Sequence, residues 1–315
     1  MKLLLASTLL FSTNGFTLNQ QACRRTSTRL LAAGGAPQYE KFQATLRKAE
    51  SVGNGSVMLR IETQDTVDYE PGHVLALEIQ ADDSSEDDID QKTSDDAQAN
   101  GGWMRGPYTV SRSTDKSLDI LIKLVGLKSK RFASAEPGTA LQFGGKFKVP
   151  ILEGISAETT ERVVLVSTGV GVGPCIGAIE KALELDDSFP PIDLIASYRT
   201  EEEVVYKNEL DELQKLHKEK FSWKTIITSE QGRLSSDSNV EELSDTAFEA
   251  GIENTHYHLI GNGQMVSEFK AGLEKAGVPE DKVTLEMYFN HKAEMDTEAV
   301  ERIAAAVMEP ATALL

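Results

Sequence analysis

The run Ser167-Thr168-Gly169-Val170-Gly171-Val172-Gly173-Pro174 sets three glycines between an apolar stretch, Val163 to Val166, and a segment whose apolar residues Ile176, Ile179 and Leu183 recur at helical spacing. That order reads as strand, tight turn and helix. Glycine admits positive φ and lacks a Cβ, so Gly169, Gly171 and Gly173 would let a ligand approach the backbone, and Pro174 suits a first helical turn. A helix N-terminus there offers unpaired N–H groups and a partial positive charge, as a phosphate or pyrophosphate site requires. The spacing is not G-x-G-x-x-G, and on these residues alone a plain strand-to-helix connection stays open. Elsewhere, His256 and His258 fall on one face of an expected strand, a spacing a metal could use. No third ligand lies near them in the sequence, so a structural pair is expected and no metal is assigned.

The elements that must position these residues come in two rhythms. From Tyr39 to about residue 155, short segments such as "SVMLRIET", "HVLALEIQ", "PYTVSRS", "LDILIKLVG" and "ALQFGGKFKVP" alternate or cluster apolar residues between Gly and Pro breaks, which predicts an antiparallel β-barrel. Residues 81–102 interrupt it with an acidic, polar stretch too poor in apolar residues to order itself, read as a disordered insertion on a hairpin. From 160 to 291, "RVVLVS", "IDLIASY", "FSWKTIIT", "HYHLIG" and "VTLEMYF" alternate with helical patterns at 174–185, 201–218, 240–250 and 264–276. Such alternation predicts an α/β domain: a parallel sheet covered by helices, with ligands at the C-terminal strand ends. Residues 292–315 read as one amphipathic helix opened by Asp296 or Thr297, packing as an extra arm.

The chain has 315 residues and a net charge of −18, which argues against nucleic acid. Two cysteines, Cys23 and Cys175, are too few for an iron–sulfur cluster or a disulfide framework, so redox chemistry would need a bound organic cofactor or a partner. Residues 1–38 read as a targeting presequence. Lys2, a short apolar run and small polar residues have the order of a secretory signal; the Arg-, Ser- and Thr-rich remainder, without an acidic residue before Glu40, has transit-peptide composition. Together they resemble the bipartite presequences of algae with secondary plastids, whose cleavage site is followed by an aromatic residue, here Phe16. A plastid destination is expected, with the secretory pathway as the alternative. No later stretch is a transmembrane candidate.

Four local patterns, in order, resemble the ferredoxin–NADP⁺ reductase superfamily of modular flavin reductases. "RGPYTVS" is similar to the family's flavin motif, which implies cofactor contacts from Arg105, Tyr108, Thr109 and Ser111, the tyrosine ring on the isoalloxazine and the Thr109 hydroxyl near flavin N5. Arg105 stands three residues before Tyr108 instead of two, so a regular strand turns it to the other face unless a bulge near Gly106 restores it. "GLKSKRF" is similar to a segment that holds flavin phosphates, which implies Gly126 and Ser129, with Lys130 or Arg131 as substitutes for the arginine. The glycine run matches the family's loop for a nicotinamide nucleotide through Thr168, Gly169, Gly171, Gly173 and Pro174. "YHLIGNGQM…LEMYF" is similar to its closing segment, implying Gly261, Met265, Glu286 and Tyr288, with Ile260 where relatives carry a cysteine beside the nicotinamide.

The resemblance implies an FAD enzyme that takes a hydride from NADPH or NADH, with Thr109, Glu286 and Tyr288 at the reacting centre, and passes electrons to a carrier such as ferredoxin or to a small acceptor. Arg199, closing "IDLIASYR", leans towards the 2′-phosphate of NADPH, although ion pairing with Glu201 to Glu203 is an equal use; Ser229 and Arg233 are further phosphate candidates. Lys123, Lys128, Lys130, Arg131, Lys146 and Lys148 form a local basic patch that could dock an acidic carrier or partly neutralise flavin phosphates. Ile260 and the displaced Arg105 leave open a non-catalytic binder that kept the fold.

Overall fold

The computed structural model describes residues 39–81, 100–185, 188–236, 239, 251, 253–288 and 294–308, all within one compact unit, Tyr39–Leu315. The presequence, nearly all of the acidic insert and the expected helix at 240–250 lie outside the described residues.

Seven strands come first: β1 Lys41–Ser51, β2 Ser56–Thr63, β3 Val74–Gln80, β4 Trp103–Thr109, β5 Arg112–Thr114, β6 Ser117–Lys123 and β7 Ala140–Gly144. They form one antiparallel sheet ordered β4-β3-β7-β1-β2-β6-β5. Val110 and Ser111 carry the chain from one edge to the other, the Val110 N–H donating to His73 O at 2.9 Å and the Ser111 N–H to Asp119 O at 2.8 Å. The sheet therefore curls on itself, as the barrel expectation required. Alternation supplies its core: Leu75, Leu77 and Ile79 from β3 and Leu118, Ile120 and Ile122 from β6 turn inward, closed by Phe132 from helix α1, Leu127–Ala133. The hairpin bearing the acidic insert is β3–β4, and its ends are ordered, the Ala81 N–H donating to Gly102 O at 2.9 Å.

The second half is a parallel sheet of β8 Arg162–Thr168, β9 Ile192–Tyr198, β10 Phe221–Ile227, β11 Thr255–Asn262 and β12 Val283–Tyr288, ordered β10-β9-β8-β11-β12. Val163 and Leu165 of β8 join one apolar core with Ile176 and Ile179 of α2, Val172–Glu184, and Leu210 of α3, Lys207–Leu216. Val164 and Val166, one residue out of phase, join the opposite core with Val266 and Phe269 of α4, Gly263–Lys275. Both faces are thus covered, and the strand order reverses between β8 and β11, which opens a crevice at their C-terminal ends. The last helix, α5 Thr297–Met308, is not an extra arm: its Ile303, Ala304 and Val307 are buried in that second core, and Gly272 of α4 lets Ile303 approach so closely that an added Cβ would lie 2.6 Å from its Cβ. Asp296 Oδ1 caps it, accepting from the N–H groups of Glu298 and Ala299 at 3.0 and 3.3 Å.

His256 and His258 both reach the Thr284 hydroxyl on β12, at 3.0 and 2.9 Å. Burial drives both rings towards the neutral form, His256 down to about 4 and His258 to about 3, with Lys282 acting on the first and His256 and Lys148 on the second. In the unfolded chain both titrate near 6.5, so below that pH the unfolded state binds more protons and the folded state loses stability as pH falls. Urea unfolding at pH 7 and pH 5 should show a loss on the order of 3 kcal/mol from this pair. A His256→Gln/His258→Gln variant should lose less over the same interval; an unchanged pH slope would contradict the assignment.

Candidate active site

A cleft of about 770 Å³ lies between edge strand β4 and the end of β12, within the range of small-molecule sites. Because β4 is an edge, both of its pleat faces reach the cleft: Arg105 and Thr109 from one, Gly106 and Tyr108 from the other. The Tyr108 ring lies back over Gly106, where a Cβ would come within 2.8 Å of it, and meets Phe132 edge-on at 5.4 Å. Gly126 and Ser129 line the cleft at the start of α1, and Glu286 and Tyr288 line it from β12.

At its inner end the two sheets are joined by a directed chain of hydroxyls. Tyr288 donates to Thr109 Oγ1 at 3.0 Å, and Thr109 in turn donates to Glu286 Oε1. Burial raises the Glu286 carboxyl to about 6, against the Thr109 hydrogen bond, the Lys148 charge and Tyr288, which favour the ionised form. A carboxylate poised there can take up or return a proton at neutral pH. Thr109 and Glu286 are 177 residues apart in the chain, so the fold alone brings them together.

A second pocket, of about 320 Å³, sits at the C-terminal ends of the parallel strands and takes in Thr168, Gly169, Arg199, Arg233, Asn262 and Met265. The turn after β8 separates the two sites: Thr168 and Gly169 face the smaller, Val170 the larger. Gly169 uses the positive φ expected of the run, at +53°. Gly261 has φ +128°, and a Cβ there would run into the Thr168 side chain, which itself accepts from the Asn262 N–H at 2.7 Å. Arg199 is exposed and makes no ion pair among the described residues; Glu203, a suggested partner, pairs instead with Lys123 at 3.2 Å.

Some expectations change. Gly171 has φ −59° and Gly173 lies inside α2, so neither is glycine for positive φ. A Cβ on Gly171 would stand 2.8 Å from Ile260 O, and one on Gly173 2.6 Å from Ser111 Oγ; protein fills the space reserved for a ligand. Pro174 does fall in the first turn of α2, as its third residue, but it is buried there. Ser111 does not reach the cleft, being fully buried with its Oγ accepting from the Leu121 N–H at 3.2 Å. Ser129 lines the cleft, yet its hydroxyl accepts from the N–H groups of Val125 and Gly126 at 3.0 and 3.1 Å and donates to Gly126 O at 2.9 Å. No bulge restores Arg105: β3 and β4 pair in unbroken register, and Arg105 faces Glu78. The basic patch divides, with Lys123, Lys128 and Lys148 on the cleft wall, Lys130 exposed, Arg131 donating to Gln80 O at 3.3 Å and Lys146 paired with Asp68 at 3.1 Å.

Sequence reasoning also passed over Asn262, whose side chain caps α4 by accepting from Gln264 and Met265 N–H at 3.0 and 3.4 Å, and Glu268, buried on the small pocket's floor with Ser235 at 3.2 Å. The first was readable as an N-cap between strand and helix. The second is a carboxylate among apolar helix positions, with no local signal of a pocket.

Residues 165–270 match the family of the oxidoreductase NAD-binding domain. Over 80% of this chain and 100% of the other, the structure superposes on a ferredoxin NADP⁺ reductase from Neisseria gonorrhoeae with bound FAD and NADP, at TM-score 0.62 and 17% identity. The chain has the two-domain fold of the ferredoxin–NADP⁺ reductases. The same fold appears in the cytochrome b5 reductase domain of Ulva prolifera nitrate reductase, TM-score 0.61 at 14% identity over 78% of this chain and 97% of that one. A flavohemoglobin from Malassezia yamatoensis with bound FAD and heme matches at TM-score 0.62 and 22% identity over 79% of this chain and 60% of that one. The NADH nitrate reductase of Volvox carteri is 28% identical across 41% of this chain, which spans only 18% of that relative's length. In this reductase fold the large cleft belongs to the curled sheet's edge and the small pocket to the parallel sheet. Among the described residues no helix is long and apolar enough to cross a membrane.

Proposed function

We propose that the chain is an NAD(P)H-dependent flavin reductase, with FAD in the larger cleft and the phosphate-bearing part of the nicotinamide nucleotide in the smaller pocket. One observation carries the reading: the Tyr288–Thr109–Glu286 chain joins the two sheets on the wall of the larger cleft, from which only the turn after β8 separates the smaller pocket. The cleft fits FAD in kind, offering the Tyr108 ring, apolar Val74, Val125 and Leu285, and the cations Arg105, Lys123 and Lys128 for a diphosphate. When bound, FAD would supply a hydride acceptor and a source of single electrons. The chain's own residues orient and protonate: Tyr108 and Thr109 fix the ring at the edge strand, and Glu286 holds or releases a proton through Thr109 Oγ1. Electrons would leave to a one-electron carrier such as ferredoxin, or a small acceptor, with Lys146, Lys148 and Lys130 attracting an acidic partner. The first 38 residues would direct the protein to a plastid.

The alternative, a non-catalytic binder, is favoured by Ile260, fully buried where relatives carry the thiol beside the nicotinamide. Purification with the flavin spectrum recorded before and after NADPH, then NADH, separates the two. The expected protein is yellow, bleaches with NADPH, and in Arg199→Ala loses about tenfold of its NADPH preference, as one charge-assisted phosphate contact warrants. A yellow protein inert to both nucleotides, or a colourless one that binds a nucleotide, would support the binder; a colourless one that binds no nucleotide overturns both readings.

A further inference from the structure

Arg105 lies out of phase with Tyr108, and a regular strand leaves it without the position that the flavin motif implies. The structure holds it by other means. Glu78, directly opposite on β3 and 0% exposed, accepts from Arg105 Nε on Oε1 at 2.8 Å. Its second oxygen accepts from Lys41 Nζ at 2.8 Å and from Gln142 Nε2 at 2.6 Å, and Tyr39 adds a hydroxyl to Oε1 at 3.4 Å. Arg105 Nη2 donates to Asn100 Oδ1 at 2.6 Å, and the guanidinium lies 5.9 Å over the Tyr39 ring. A buried carboxylate is costly unless paired and fully hydrogen-bonded, and here both oxygens are engaged.

Two features separate this cluster from simple glue between strands. Glu78 with Arg105 and Lys41 leaves one positive charge in excess, and the arginine lines the cleft while the carboxylate does not. Arg105 is also four residues along β4 from Thr109, about 13 Å at strand rise, and it lines the same cleft as Lys128 and the start of α1. Resting on the flavin reading above, we infer that Glu78 is a positioning residue that turns Arg105 towards the diphosphate of the bound FAD. A carboxylate across the ladder replaces the strand phase that the sequence lacks.

The test is flavin affinity, measured by fluorescence titration of the apoprotein with FAD and with riboflavin, which has no phosphate. Arg105→Ala and Glu78→Gln should each weaken FAD about tenfold and leave riboflavin unchanged, since one charge-assisted contact is lost or misdirected. The double variant should bind FAD no more weakly than Arg105→Ala, because both act through one guanidinium. Asn100→Ala, at the half-buried end of the network, should weaken FAD about threefold, and it decides the matter if Glu78→Gln does not fold. Equal weakening of FAD and riboflavin would mark a merely structural role, and unchanged FAD affinity in the variants would overturn the inference while leaving the flavin reading intact. A wild-type protein that binds neither flavin would remove both.

Discussion

Glu286→Gln should lower steady-state turnover, measured with NADPH and ferricyanide, by about a hundredfold at pH 7.5, within the usual range for loss of a positioned acid or base. The amide keeps the shape and can still meet the Thr109 hydroxyl, but it cannot take its proton. In the wild type, turnover should rise with pH through an inflection near 6 as the carboxyl ionises, and the glutamine variant should lack that inflection. Thr109→Ala should move it upward, because the hydroxyl's hydrogen bond favours the ionised form. Folding stability gives the control. An acid whose folded value lies above its unfolded one destabilises the native state as pH rises through the unfolded value, here by roughly 2 kcal/mol once both states are ionised. Glu286→Gln should therefore melt no lower than wild type at pH 8, so lost turnover would not mean lost structure. Unchanged turnover, or an inflection that survives the substitution, would remove Glu286 from the chemistry.

Glu286 and Thr109 are each legible in the sequence through a local motif, "RGPYTVS" and "VTLEMYF", but their hydrogen bond is not, since 177 residues separate them. Strands with a near-continuous apolar run, such as "RVVLVS" and "IDLIASY", declare themselves because both faces of a parallel sheet are buried. β1 did not: only Ala44 and Leu46 of "KFQATLRKAES" are buried, and the register shifts between Leu46 and Lys48, which breaks the alternation. The fifth helix read as an arm because its amphipathic stripe says that it packs, without saying on what; Gly272, its landing place, carries no outward sign. The glycine run misled in a more instructive way. Ligand approach and close packing ask for the same missing Cβ, and the sequence does not distinguish which surface comes near.

That ambiguity yields the largest expected effect on stability. Gly173 and Gly177 lie one turn apart on α2, and the helix rests there on the curled sheet: a Cβ on Gly177 would run into the Ser111 carbonyl oxygen and come within 2.9 Å of Pro71 Cγ. Ser111 has little room to retreat, since its N–H is bonded to Asp119 O at 2.8 Å and its hydroxyl to the Leu121 N–H at 3.2 Å. Around this contact Arg112 grips Glu180 of α2 through two bonds of 2.7 Å and Glu209 of α3 at 2.8 Å, while Lys181 meets Glu70 at 2.7 Å. Gly177→Ala must therefore lift α2 from the sheet or strain this joint, at a cost of about 3 kcal/mol, the upper end for overpacking. A shift of the helix also carries Val170 and the turn after β8 away from β4, and a misplacement of about 1 Å can cost a hundredfold in rate. Urea unfolding and turnover should fall together in this variant. Gly126→Ala is the counterpart: no atom lies within 4 Å of the added Cβ and the backbone is extended, with φ −168°, so its stability should stay within about 0.5 kcal/mol of wild type. If Gly177→Ala proved as stable as Gly126→Ala, the two sheets would not be held together through this helix, and the distance that the proposed hydride transfer needs would have to be fixed elsewhere.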